Sequence, residues 1–167
     1  DKIYSLSSIA TTMNIFLQMG EDAMGKAKEL EENIKNDHSN SVGISLSDSE
    51  LLAPVPNPPS CRDAYAFRQH VATARRNRGV DMIPEFDQFP IFYFTNHNAI
   101  LGPTDDILCM PDHMQKLEFE LEAAIVIGKK GRNIKAKDAD NYIAGYLIMN
   151  DMSARALQME EMKLNLG

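Results

Sequence analysis

The chain has 167 residues, of which 44% are apolar and 25% charged, the composition of a soluble globular protein with room for one domain, or for a small domain plus part of another. Its net charge of -7 repels phosphate backbones, which excludes nucleic acid as a partner, and it permits a carboxylate-rich site once a cation offsets the charge. No apolar run approaches the roughly 20 residues that span a bilayer, no basic-then-apolar leader opens the chain, and the cysteines Cys61 and Cys109 suit a reducing cytoplasm rather than a disulfide framework.

The chain opens at Asp1 without an initiator methionine and stops at Leu166-Gly167, which suggests a processed or truncated protein. Ile3 to Ile9 has the make-up of a short strand. Ala10 to Asn36 reads as helix, because Met13, Phe16, Leu17, Met24 and Leu30 recur at near-helical spacing. Gly20 is where that helix would divide. His38 to Gly43 is a loop by composition, and residues 1–53 make an N-terminal region. Pro54, Pro56, Pro58 and Pro59 hold the chain extended and mark a boundary. Beyond it, Arg62 to Arg78 predicts a helix with a basic end, Pro90 to Thr95 a short β-prone run, and Gly102 to Asp106 a turn. Leu117 to Ile127 is the strongest strand, ended by a turn at Lys129 to Asn133. Ala136 to Asn141 has the length of a single helical turn. The uninterrupted apolar runs Ala123 to Gly128 and Tyr142 to Met149 have the length of buried strands, the first apolar on both faces and so expected to be buried on both. Ser153 to Lys163 predicts an amphipathic helix, and the whole reads as an α+β protein.

Three segments carry candidate chemistry. In Leu117-Glu-Phe-Glu-Leu-Glu, alternation projects Glu118, Glu120 and Glu122 to one face and Leu117, Phe119 and Leu121 to the other. Aligned like charges repel, and a bound cation relieves them; taken alone, a solvated strand end is the plainer account. In Asn150-Asp-Met-Ser-Ala-Arg, an apolar strand gives way to a helix, and Asp151 or Ser153 serves as an N-cap on the plainest reading. Arg155 and Gln158 are three apart, so they share a helix face. In Arg62-Asp-Ala-Tyr-Ala-Phe-Arg-Gln-His, Asp63, Phe67 and His70 line one face if the helix extends back to Asp63; otherwise Asp63 and Tyr65 lie in the preceding loop. His70 is the side chain best suited to exchange protons near neutral pH.

Asp63-x-Tyr-x-x-Arg-Gln-His70, Glu120-Leu-Glu122 and Asn150-Asp-x-Ser-Ala-Arg-x-x-Gln158, in that order, resemble the fumarylacetoacetate hydrolase family. The likeness extends over about residues 50 to 167, with Ile127-Gly-Lys, Gly131-Arg-Asn-Ile and Ile143-Ala-Gly-Tyr adding to it. It implies that residues 54–167 are the first part of a catalytic domain with a mixed β-sandwich roll. It implies that Asp63, Glu120, Glu122 and Asp151 bind Mg²⁺ or Ca²⁺, with Mn²⁺ a third candidate; hard oxygen donors suit such ions rather than zinc. Glu118 falls outside the family pair and is left as an outer or solvent residue. By the same resemblance His70 is the base that activates water, Tyr65 contacts substrate, and Arg155 and Gln158 hold the substrate's developing negative charge.

The implied reaction is hydrolysis of a C–C bond in a small-molecule β-diketo acid of the fumarylacetoacetate or acylpyruvate type. Decarboxylation, isomerisation or hydration of a related keto acid is the close alternative, and a metal-binding module without catalysis is the reading from a different class. A cytoplasmic homodimer with no membrane or nucleic-acid partner completes the expectation. Three departures from the family pattern stand out: Thr73 occupies the place of the glutamate that partners the histidine in the shorter members, Met162 stands where some members have a tyrosine four residues after the matching glutamine, and the family lysine after the last helix falls beyond Gly167.

Overall fold

The computed structural model describes residues 1–38, 41–111 and 115–165, and the chain divides into two compact units, one made of Asp1–Val55 with Leu101–Gly167 and the other of Pro56–Ile100. Both mix helices with antiparallel strand pairs, the α+β class that the sequence predicts.

In the first unit, helix α1 (Met13–Met19) is capped by Thr12, whose hydroxyl accepts from the Ile15 amide at 3.2 Å. Gly20 ends α1 at φ 60 and opens α2 (Glu21–Lys35); a glycine reaches positive φ without a Cβ clash, so the predicted helix divides where expected. Phe16 and Ala23 are the buried residues of this pair. The expected strand from Ile3 to Ile9 shrinks to β1 (Lys2–Ile3), paired antiparallel with β2 (Ile44–Ser45). Ser5 shortens it: its hydroxyl accepts from the Ser7 amide at 3.2 Å, and the Ile9 amide folds back onto the Leu6 carbonyl at 2.8 Å. Such local serine bonds compete with strand pairing.

The main feature of this unit is a long ribbon. Strand β5 (Leu117–Ile127) runs antiparallel to β6 (Ile143–Ala154), from Leu117 opposite Ala154 to Ile127 opposite Ile143. Gly128 turns the chain, its amide donating to the Tyr142 carbonyl at 2.8 Å. A Cβ there would meet the Ala144 Cβ at 2.7 Å. The helical turn expected at Ala136 to Asn141 is a 3₁₀ segment, Ala136–Tyr142.

Two expectations for the ribbon are corrected. Neither apolar run is buried on both faces: Ile125, Ile127, Tyr146 and Ile148 are all more than half exposed. These side chains project from one face of the ribbon, and that face is left largely exposed. Capping at Asp151 or Ser153 also fails, because β6 continues through both. Helix α4 (Arg155–Glu161) begins after Ala154, which offers no side-chain cap, and a 3₁₀ turn, Met162–Leu164, follows α4.

In the second unit, β3 (Cys61–Ala64) pairs antiparallel with β4 (Phe92–Thr95), and α3 (Arg68–Asn77) buries Val71. The helix predicted from Arg62 therefore starts only at Arg68. Pairing with the aromatic, β-prone Phe92–Thr95 overrides the local helical pattern of the first residues, and Phe67 precedes α3 in an extended conformation.

Candidate metal centre

On β5, alternation sends Glu118, Glu120 and Glu122 to one face of the ribbon. Glu120 stands directly opposite Asp151, Glu122 opposite Met149, and Glu118 opposite Ser153. Partners across an antiparallel pair share a face, so Asp151 joins the three glutamates, straight across from Glu120 and diagonal to Glu122. The carboxylate oxygens of Glu122 and Asp151 lie within 4.8 Å of each other. Glu120, Glu122 and Asp151 are half-buried, whereas Phe119 and Leu121 on the opposite face are 71% and 75% exposed. The acids thus occupy the better covered side, where repulsion between like charges is less screened and a cation gains more from them.

The cation already on this face is Arg155, the first residue of α4. Its Nη2 donates to Glu120 Oε1, its Nε to Glu118 Oε2 at 3.2 Å, and its Nη1 to Gln158 Oε1 at 2.7 Å. The Glu120 hydrogen bond, with a smaller contribution from Glu118, holds the guanidinium above its ordinary pKa against the opposing effect of burial. The helical spacing of Arg155 and Gln158 does bring their side chains together. Glu118, by contrast, is engaged by the arginine rather than simply solvated.

Asp63, Tyr65 and His70 belong to the second unit. Asp63 stands opposite Tyr93 on the β3–β4 pair, and the Tyr93 hydroxyl donates to Asp63 Oδ2 at 2.6 Å. Because Asp63 is in a strand, it shares no helix face with Phe67 and His70, which corrects the helical reading; nor is it in a loop. His70 lies in the first turn of α3, exposed, with its ring centroid 6.5 Å from that of Tyr65 and the planes tilted by 37°. An open depression beside it is lined by Phe67, Gln69 and Thr73 among others. Thr73 accepts from Arg76 Nη2 at 3.2 Å, Arg75 donates to the Asp81 carbonyl, and Arg78 donates to the Ala74 carbonyl at 3.3 Å. The basic end of α3 is thus satisfied locally.

No motif in the sequence singles out Tyr93. Its signal was faint: one hydroxyl-bearing ring between two phenylalanines, 30 residues from the aspartate it contacts. For the Glu122–Asp151 pair, the donor chemistry fits a hard divalent cation. Carboxylate oxygens suit Mg²⁺, Ca²⁺ or Mn²⁺, and no thiol or imidazole joins the pair within the ribbon to favour a softer ion.

The profile described as fumarylacetoacetate (FAA) hydrolase C-terminal matches residues 60–167. A mitochondrial oxaloacetate tautomerase of Xenopus laevis is 34% identical over 154 residues, covering 92% of this chain and 44% of that protein. An oxaloacetate tautomerase of Bacillus subtilis is 28% identical over 170 residues, covering 99% and 54% respectively. Among solved structures, a fumarylacetoacetate hydrolase from the psychrophilic Exiguobacterium antarcticum superposes with a TM-score of 0.52 at 30% identity, over 72% of this chain and 42% of that one. The chain spans about half the length of the curated relatives it matches. No helix among the described residues is long and apolar enough to cross a membrane.

Proposed function

We propose, from the premise that the chain belongs to the fumarylacetoacetate hydrolase family, that it supplies a carboxylate site for a divalent cation to an enzyme that isomerises a small keto acid of the oxaloacetate type. The observation that carries this reading is the single ribbon face on which Glu122 and Asp151 approach within 4.8 Å while Arg155 sits against Glu120. The names of the matched tautomerases favour isomerisation over the C–C hydrolysis that the motifs alone imply.

Glu120, Glu122 and Asp151 would hold Mg²⁺, Ca²⁺ or Mn²⁺, with Asp63 as the fourth carboxylate, as the resemblance implies. When bound, such an ion polarises a ketone and acidifies the adjacent C–H. Keto–enol exchange removes a proton from the carbon beside the ketone and adds one to the oxygen, with no C–C bond broken. Arg155 and Gln158 orient the substrate's oxygens and meet the charge that develops there. As the resemblance implies, His70, beside Tyr65, is the base that carries the proton. Cytoplasm or mitochondrion would each keep Cys61 and Cys109 out of a disulfide, as they are here. A homodimer is the proposed assembly, on the family resemblance alone.

Hydrolysis is kept as the second reading because the solved neighbour is a fumarylacetoacetate hydrolase and because the Asp63 to His70 block matches that family's pattern. One assay separates the readings in the full natural protein. With Mg²⁺, loss of the oxaloacetate enol absorbance is expected to accelerate and to slow about a hundredfold in His70→Ala. Acid release from an acylpyruvate, with no effect on oxaloacetate, would establish hydrolysis instead. Mg²⁺ binding without turnover of either would leave the non-catalytic module. A smaller effect is expected at Tyr93: losing its 2.6 Å hydrogen bond to Asp63 in Tyr93→Phe should weaken Mg²⁺ binding about tenfold in calorimetry, as the loss of an outer hydrogen bond to a ligand does.

A further inference from the structure

We infer that Glu118 is a positioning residue for Arg155, fixing the guanidinium so that its outer edge faces the substrate site; this rests on the substrate-holding role proposed for Arg155. An arginine at the start of a helix has a long stem and several rotamers, and its direction is set by whatever its nitrogens meet. Here Nε meets Glu118 Oε2 at 3.2 Å, while Nη2 meets Glu120 and Nη1 meets Gln158. Of the two carboxylates, Glu120 alone stands directly opposite Asp151, on the side where a cation would gather. Ligation of that cation would draw on Glu120's oxygens. Glu118 stands two residues further from Glu122 along β5, opposite Ser153, and so can keep its hold on Nε whatever Glu120 binds. Binding at Nε also fixes the plane of the guanidinium, because Nε is the nitrogen nearest the stem. The Arg155 side chain is 27% exposed and Glu118 54% exposed, so the contact is partly shielded and not an ordinary pair in open water.

The test uses the full natural protein with Mg²⁺. Glu118→Leu, close in size but without an acceptor, is expected to raise KM for the keto acid about tenfold and to leave Mg²⁺ affinity by calorimetry within about threefold. Glu118→Gln, which returns an acceptor oxygen, should recover most of the loss. In an Arg155→Ala background, Glu118→Leu should add nothing, because the residue it orients is gone. If Glu118→Leu does not fold, Glu118→Ala at this half-exposed strand position takes its place. Unchanged KM in the Glu118 variants, with Arg155→Ala strongly impaired, overturns the positioning role alone. An Arg155→Ala protein with normal KM and kcat overturns the substrate-holding role and this inference with it. A KM increase accompanied by an equal loss of Mg²⁺ affinity overturns the inference too, since Glu118 would then act through the ion.

Discussion

Glu122→Gln is expected to weaken Mg²⁺ binding at least about a hundredfold, more than the loss of an outer hydrogen bond would, and to remove turnover at ordinary Mg²⁺ concentrations. Charge and place set this expectation. Glu122 is half-buried, and its carboxylate lies within 4.8 Å of that of Asp151. Glutamine keeps the length and one oxygen but removes the negative charge that draws a hard cation. Two calorimetric readouts have opposite signs. Mg²⁺ raises the Tm of the parent protein by mass action, and this increment should vanish in the variant. Without Mg²⁺ the variant should melt at a temperature equal to or above that of the parent, because one member of a close like-charged pair is gone. A purely structural glutamate would behave differently: its loss would lower Tm with and without the ion alike. Undiminished Mg²⁺ affinity would remove Glu122 from the ligand set.

What was legible in the sequence follows the range of the forces involved. Strand β5 is recognisable to the residue, Leu117–Ile127, because alternation and then an apolar run act over a few neighbours. Gly20 is legible for the same reason: the demand for positive φ is a property of one residue. Strand β3 is not, because Cys61–Ala64 owes its conformation to Phe92–Thr95, and nothing within Arg62 to Arg78 announces that partner. The end of β6 misleads in another way. Asp151 and Ser153 are good capping residues, and by that local signal the strand stops before them. In the fold the ladder with β5 continues to Ala154, which turns Asp151 from a cap into a member of the acidic face. The part that Glu118 takes beside Arg155 depends on where α4 leaves β6, and a shift of one residue there would turn Arg155 elsewhere. The expectation of buried strands misses because the outer face of the ribbon, with Phe119, Leu121, Tyr146 and Ile148, is exposed, and an apolar run alone does not say what would cover it.

For Arg155→Ala, the expected result is a fall in kcat/KM for the keto acid of about a hundredfold to a thousandfold, the usual cost of removing a preorganised charge that meets a developing anion. Its effect on metal binding should have the opposite sign. Arg155 neutralises Glu120 through Nη2 and Glu118 through Nε, so it competes with any divalent cation for the Glu120 carboxylate. Alanine frees that carboxylate and removes a positive charge from the ion's surroundings, and Mg²⁺ affinity should hold or rise. Arg155→Lys should restore the charge but not the fork that engages Glu118, Glu120 and Gln158 at once, and should recover only a small part of the activity. A loss of activity with a matching loss of Mg²⁺ affinity would mean that the arginine shapes the metal site instead. Full activity in the lysine variant would show that a point charge suffices and that the three-way contact at the start of α4 serves the fold rather than the reaction.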